Sequence, residues 1–317
     1  MNARVATETL LAGLRAAGEP TRLRLLALCA QNELTVTELT QILGQSQPRI
    51  SRHLKLLCDA GLLERFPEGT WAFYRLAERG DAPELSRTLA GLLAQDDPIL
   101  VRDLDGLAEV KRARAQRAEE YFRANAAHWN RIRSLHVPET EVERALVATF
   151  AGRTIHQFLD VGTGTGRVLE LFKGRAERGI GIDQSREMLA LARARLEEAG
   201  CNQFQVRHGD MYHLALPPKS VDAISFHQVL HYADEPAAAI REAARVLAPG
   251  GRIAVVDFAP HQLESLREEH AHRRLGFAHD EVVGWFKNAG LKPAEPVDLK
   301  GNPLTVTIWP ADAPERL

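Results

Sequence analysis

The chain has 317 residues, 45% of them hydrophobic and 26% charged, with a formal net charge of −2. That length allows two domains with real cores, and a charge so close to zero excludes a globally basic surface, so any nucleic-acid site must be a local patch. There is no signal-peptide pattern, no apolar run long enough to span a bilayer, and only three widely spaced cysteines (Cys29, Cys58, Cys201), so a cytoplasmic protein without a membrane partner or a disulfide framework is expected.

Leucine-rich stripes predict helices over 4–17 and 20–31, with Pro20 where a helix begins. Thr35 to Leu43 reads as a short helix, with Glu38 three residues after Thr35 as in a capping box, and Gly44 breaks it. A second helix follows from Ser46 to Gly61. At about 100° per residue, Ile50, Leu54 and Leu57 share one face of it. Arg49, Arg52 and Lys55 fall on the opposite arc, with Ser51 on its flank. Two helices around a glycine turn suggest a helix-turn-helix, and a basic outer face suits phosphate and base-edge contacts in a major groove. Leu56 shares that arc and is expected to pack under a neighbouring element; His53 reads as a packed core histidine. Between Leu62 and Leu76, two strand-like runs flank Pro67-Glu68-Gly69, a hairpin signal that supplies a wing.

From Glu19–Arg22 through Ser46–Lys55 to Tyr74–Leu76, residues 1–97 resemble the winged helix of ArsR-type bacterial repressors. The resemblance implies double-stranded operator DNA as partner and a homodimer joined through the terminal helices at 4–17 and 83–95. Gln47, Arg49, Ser51, Arg52 and Lys55 are the DNA-facing candidates. Metal-sensing members carry thiolates at the start of the helix that here holds Thr35 and Thr37, poor ligands for soft metals. Cys29 and Cys58 read as buried apolar thiols, and no metal is expected.

Residues 98–150 form a connector. Arg102 to Arg131 interleaves both signs of charge and predicts a long, exposed helix. Tyr121, Phe122 and Trp129 lie on nearly one face of it, fitted either to plain docking or to a lid over a cofactor. Pro138 and Glu139 start another helix leading to Gly152.

Residues 151–317 alternate strand and helix. Phe158 to Asp160 ends a buried strand, Gly162, Gly164 and Gly166 form a tight turn, and Val168, Leu169 and Phe172 recur at helical spacing. Backbone N–H groups at such a helix start are expected to face a polar ligand. A second strand, Gly179–Asp183, ends in an acid about 20 residues beyond the loop, where doubly wound sheets bind ribose hydroxyls. Ser185 is a good N-cap for a helix to Ala199. Strands at 204–207 and 221–226, a helix at 237–247, a tight turn at Pro249-Gly250-Gly251, a strand at 252–258, a helix at 279–289 and strands near 294–299 and 304–309 complete the pattern. This alternation predicts a mostly parallel sheet with its ligand at the carboxyl ends of the strands.

The dinucleotide fingerprint wants its third glycine where this chain has Arg167. Asp160-x-Gly-x-Gly-x-Gly166 instead resembles the first motif of class I S-adenosylmethionine-dependent methyltransferases. The fold expected is therefore multidomain, an N-terminal α+β winged helix-turn-helix and a C-terminal α/β Rossmann-like methyltransferase fold. By this resemblance Asp160, Gly162, Gly164, Gly166, Asp183 and Gln184 hold an S-adenosyl ligand. Asp210 takes the adenine amino group, Met211 an apolar contact with the ring, His227 the amino-acid end, and Tyr121 belongs to the lid. The ligand is S-adenosylhomocysteine or S-adenosylmethionine.

Histidines 227, 231, 261, 270, 272 and 279 gather around the expected pocket mouth. No compact pair with a nearby carboxylate stands on a predicted helix, and methyl transfer needs positioning more than a base, so they read as pocket lining. Arsenite methylation needs a cysteine cluster, and Cys201 is the domain's only thiol. The arrangement resembles S-adenosylhomocysteine-responsive regulators of the methionine cycle. That implies a transcriptional regulator, in the sense of a repressor, whose second domain senses the ligand without turnover. The alternative is an active small-molecule methyltransferase with a regulatory head. A DNA-modifying enzyme fits less well, because Phe226-His-Gln-Val229 stands where an Asn-Pro-Pro-Tyr-like motif belongs.

Overall fold

In the computed structural model, which describes residues 5–68, 71–77, 82–94, 96–125 and 138–315, the chain divides after Gln116 into two units. In the first unit α1 (Thr7–Ala17) and α2 (Pro20–Gln31) follow the leucine stripes. Pro20 sits in the first turn of α2, where a missing N–H costs nothing, and the Glu19 carboxylate accepts from the Arg22 N–H at 3.0 Å. A reciprocal capping box starts α3 (Val36–Leu43): the Glu38 N–H donates to Thr35 Oγ1 while the Thr35 N–H donates to the Glu38 carboxylate. Gly44, left-handed at φ 63°, ends it. After that turn, α4 (Gln47–Asp59) buries Ile50, Leu54 and Leu57 against Leu25, Leu26 and Leu39.

The strands β1 (Leu34–Thr35), β2 (Leu63–Glu68) and β3 (Trp71–Leu76) form an antiparallel sheet in the order β1-β3-β2. Two details depart from expectation. β2 continues through Pro67 and Glu68, opposite Ala72 and Trp71, because an edge strand tolerates a proline; residues 69–70 lie outside the described set. Leu34 and Thr35 pair with Tyr74 and Phe73 before α3 begins, a short strand hidden in the sequence behind the capping box. α5 (Pro83–Gly91) stops short of residue 95.

α6 (Pro98–Asn125) crosses the division between the units. Its first half packs within the first unit. Gly106 lies so close to α3 that an added Cβ would stand 3.3 Å from Ile42 Cγ2, and Leu107 and Val110 are buried. Asp103, only 1% exposed, takes two guanidinium nitrogens of Arg24, each at 2.6 Å. The expected continuation to Arg131, Trp129 included, lies outside the described residues, as do the side chains of Tyr121 and Phe122.

After the end of α6 the second unit continues, among described residues, with α7 (Glu139–Thr149), β4 (Ile155–Val161), α8 (Arg167–Leu171), β5 (Ala176–Asp183), α9 (Arg186–Glu198), β6 (Phe204–His208) and β7 (Val221–His227). Then come α10 (Pro236–Val246), β8 (Leu247–Phe258), α11 (Ser265–His270), α12 (His279–Asn288), β9 (Lys292–Pro293), β10 (Val297–Lys300) and β11 (Thr305–Asp312). The sheet runs β10-β11-β8-β7-β4-β5-β6; β11 is antiparallel to its neighbours and the remaining pairs are parallel. Because β4 has β5 on one side and β7 on the other, the chain reverses its direction of growth after β6. A crevice opens at such a switch point, at the carboxyl ends of β4 and β7.

Pro249-Gly250-Gly251 is not a turn ahead of the fifth long strand, as the sequence suggested. β8 already pairs at Leu247 with Val221, and the next matched pair is Ala223 with Arg252, so residues 248–251 bulge from the ladder.

The Arg24–Asp103 pair yields a stability prediction. Arg24→Ala leaves a carboxylate buried without its cation, which should cost about 3 kcal/mol. Adding Asp103→Asn should recover part of that loss in urea unfolding of the full chain.

Candidate functional site

The cleft at the switch point is built by the glycine loop between β4 and α8. Gly162, Gly164 and Gly166 have φ of 71°, 53° and 77°, conformations that cost other residues strain. At Gly162 the close approach is as demanding as the dihedral, since a Cβ would stand 2.4 Å from Val229 Cγ2. Four N–H groups of the loop are bonded within the protein. Gly162 and Thr163 both donate to the Ile182 carbonyl, at 2.8 and 3.0 Å, Gly164 donates to Asp183 Oδ2 at 2.8 Å, and Gly166 donates to the Thr163 carbonyl. α8, the helix they introduce, has only five residues.

Asp160, next to last in β4, is almost fully buried, and its Oδ1 accepts from Ser225 Oγ at 2.6 Å across the β4–β7 ladder. Asp183, at the end of β5, also accepts from the Ser185 N–H at 2.8 Å. Burial holds its carboxyl above the ordinary value, against the N–H groups of Ser185, Gly164 and Gln184 that favour the charged form. Ser185 caps α9 through the Met188 N–H.

Of the residues expected from sequence, Asp160, Gly162, Gly164, Asp183 and His227 line this one cleft. Thr163, Val168, Met188, Gln228, Val229 and Tyr232 complete its wall. Gln228 adopts φ 52° directly after β7, a backbone choice no sequence pattern announced. Gly166 lies behind the wall, its missing Cβ making room for Ala192 of α9. Gln184, Asp210 and Met211 stand beside the cleft at the ends of β5 and β6. Gln184 Nε2 donates to Asp210 Oδ1 at 3.2 Å, Asp210 also accepts from the Tyr212 N–H, and Met211 packs against the core. For Tyr121 the described atoms give only its place in α6.

One carboxylate went unnoticed in the sequence. Asp257, wholly buried on β8, accepts from His231 Nδ1 at 2.7 Å. The two are separated by 26 residues and brought together by the parallel pairing of β7 and β8, which is why helical spacing could not find them.

In the first unit Gln47, Arg49, Ser51, Arg52 and Lys55 are all exposed on α4, opposite its buried stripe. Leu56 is 42% exposed among them, so it is not covered within this unit. His53 is half-buried with Nδ1 3.6 Å from the Glu19 carboxylate, and burial lowers its pKa despite that partner. Cys29 is buried, but Cys58 is only half-buried, its thiol pushed up to about 11 mainly by burial.

Comparison with known proteins assigns both units. Residues 19–65 match the bacterial regulatory protein family arsR, and residues 159–255 match a methyltransferase domain. YcgJ of Bacillus subtilis, an uncharacterised methyltransferase, is 32% identical over 116 residues, 36% of this chain and 46% of that protein. The demethylmenaquinone methyltransferase of Deinococcus radiodurans is 33% identical over 161 residues, 47% of this chain and 64% of that protein. The chain thus spans less than two thirds of either relative. The YcgJ structure superposes with a TM-score of 0.50 at 19% identity, covering 56% of this chain and 100% of that one. A geranyl diphosphate methyltransferase in complex with S-adenosylmethionine gives 0.50 at 16% identity, over 55% and 85%. At these identities the structures speak for the fold alone. The chain carries an arsR-family helix-turn-helix and a Rossmann-like class I methyltransferase domain.

Gly162→Ala tests the loop. Left-handed strain of about 1–2 kcal/mol joins the clash with Val229, so the melting temperature of the second unit should fall, whereas Gly152→Ala, at φ 74° with nothing within 4 Å of an added Cβ, should meet the strain term alone.

Proposed function

We propose that this protein is a DNA-binding transcriptional regulator, a homodimeric repressor, whose methyltransferase-like domain senses S-adenosylhomocysteine or S-adenosylmethionine. The observation that carries the reading is the presence in one chain of an exposed basic α4 face and a cleft lined by Asp160, the glycine loop, Asp183 and His227. In the DNA-binding half, Arg49, Arg52 and Lys55 contact phosphates or base edges, with Gln47 and Ser51 beside them. Exposed Leu10, Leu11 and Leu14 on α1 supply an apolar face suited to the homodimer.

In the ligand-binding half, the charged Asp183 carboxylate accepts from the ribose hydroxyls, and Asp210 and Met211 meet the adenine. Gln184 holds Asp210 in place, and His227 faces the amino-acid end. The route between the sites is α6. It belongs to the first unit up to Gln116, where Asp103 and Gly106 seat it on α2 and α3, and then enters the second. A change in its packing on ligand binding reaches the helix-turn-helix through those two contacts.

A second reading, an active small-molecule methyltransferase with a regulatory head, is favoured by the Asp257–His231 pair beside the cleft.

Asp183→Ala should weaken S-adenosylhomocysteine binding about ten- to a hundred-fold by calorimetry. The pH dependence has a definite sign. The charged carboxylate is the acceptor and burial raises its pKa, so affinity should fall as pH drops, and the fall should begin at a higher pH than for an ordinary aspartate.

The deciding experiment measures operator affinity with and without each S-adenosyl ligand, on protein stripped of co-purified ligand. Coupling of about 1–3 kcal/mol is expected, and operator must weaken ligand binding by the same factor. Arg52→Ala should weaken operator binding, lowering the salt slope by about one if the contact is to phosphate. Ligand affinities equal with and without saturating operator would refute the sensor.

A further inference from the structure

At the carboxyl ends of β7 and β8 lies a second constellation, beyond the part of the cleft assigned to the S-adenosyl ligand. His231 is 2% exposed and Asp257 is fully buried. Asp257 holds His231 twice: Oδ1 accepts from ring Nδ1 at 2.7 Å, and Oδ2 accepts from the His231 main-chain N–H at 3.2 Å. The His231 carbonyl in turn accepts from the N–H groups of Arg273 and Arg274, at 2.9 and 3.0 Å. Ring, amide and carbonyl are all fixed, which is far more restraint than a filler side chain needs.

The consequence falls on the other ring nitrogen. A carboxylate only accepts, so Nδ1 carries the proton, and in the neutral imidazole that leaves Nε2 with the lone pair. That Nε2 is buried and has no hydrogen-bond partner among the described residues. A buried polar atom without a partner is unfavourable unless a ligand supplies one. The walls around it are flat. His272 stacks on His231 with centroids 3.9 Å apart, Tyr232 lies at 4.2 Å and Phe258 at 5.5 Å. Tyr232 also lines the cleft, so the aromatic box begins one residue from the ligand wall formed by Gln228 and Val229.

We propose that this box receives a phenolic methyl acceptor and that His231 is the catalytic base that takes its proton, with Asp257 as the positioning residue. The inference rests on the second reading given above. In the step, the phenol oxygen forms a bond to the sulfonium methyl carbon. The carbon–sulfur bond breaks with its electron pair going to sulfur, and the O–H proton passes to His231 Nε2. The products are an aryl methyl ether, S-adenosylhomocysteine and an imidazolium stabilised by the Asp257 carboxylate. A phenol is the hydroxyl class that suits both features, a ring for the aromatic walls and an acidic O–H for an imidazole.

The test uses the full chain loaded with S-adenosylhomocysteine, so that no turnover is needed, and 4-nitrophenol, whose phenolate absorbs visibly. At a pH where free 4-nitrophenol is mostly neutral, the bound probe should appear as phenolate. His231→Asn keeps a donor toward Asp257 but lacks Nε2, and it should reduce that ionised fraction at least tenfold while S-adenosylhomocysteine affinity stays near the parent's, which shows that the unit is still folded. Methyl transfer from S-adenosylmethionine to catechol should fall about 10²- to 10⁴-fold in the same variant.

A probe that does not bind, that binds as neutral phenol in the parent, or that ionises equally in His231→Asn overturns the proposal. Should S-adenosylhomocysteine itself fail to bind, the S-adenosyl reading falls as well, which separates the two failures.

Discussion

The carboxyl end of β5 is where the ligand-binding unit is decided. The Ile182 carbonyl collects two N–H groups from the glycine loop, and the Asp183 carboxylate collects a third along with the first N–H before α9. One strand end thereby fixes the turn after its neighbour and the start of its own helix. The three positive φ values follow from that geometry, because only a tightly wound loop can aim successive donors at adjacent acceptors. Gly181 belongs to the same arrangement, since a Cβ there would meet Thr163 Oγ1 at 2.7 Å and Leu169 at 2.8 Å. Asp183 is consequently held by both of its carboxylate oxygens, which limits how freely its side chain turns.

Three acids at strand ends show how the same residue type is given different work. Asp160 is sealed against Ser225, a neutral donor on the adjacent strand. Asp257 is sealed against an imidazole, which can accept a second proton and carry charge. Asp183 is tied to backbone N–H groups and remains on the cleft wall. Partner chemistry separates the three: a hydroxyl, an imidazole and main-chain N–H groups.

Much of this was legible in the sequence because it is local. The capping box at Thr35, the stop at Gly44, the buried stripe Ile50–Leu54–Leu57 and the cap at Ser185 depend on neighbours within four residues, and their helices formed where spacing placed them. The order of the glycine loop and Asp183 carried the cleft for the same reason. What escaped needed strand register. The bulge at 248–251 arises only because β8 must pair with β7 on both sides of it. The occupation of the loop N–H groups depends on β5, some 20 residues away along the chain, and the His231–Asp257 pair on the β7–β8 ladder. Leu56 belongs to another class, an apolar side chain for which this unit provides no cover.

The position of β11 has a consequence for how the molecule comes into being. It follows every other described strand in sequence, yet it lies inside the sheet between β8 and β10, antiparallel to both. Its Asp312 holds Arg252 at 2.7 and 2.8 Å and Arg153 at 2.7 Å. Until residues 305–312 leave the ribosome, β10 has no neighbour and those two cations lack their shared acid. The winged-helix unit needs nothing beyond its own residues for its core, and domains fold as units during synthesis. Each nascent chain therefore passes through an interval in which the DNA-binding half is complete and the sheet that carries the cleft is still open.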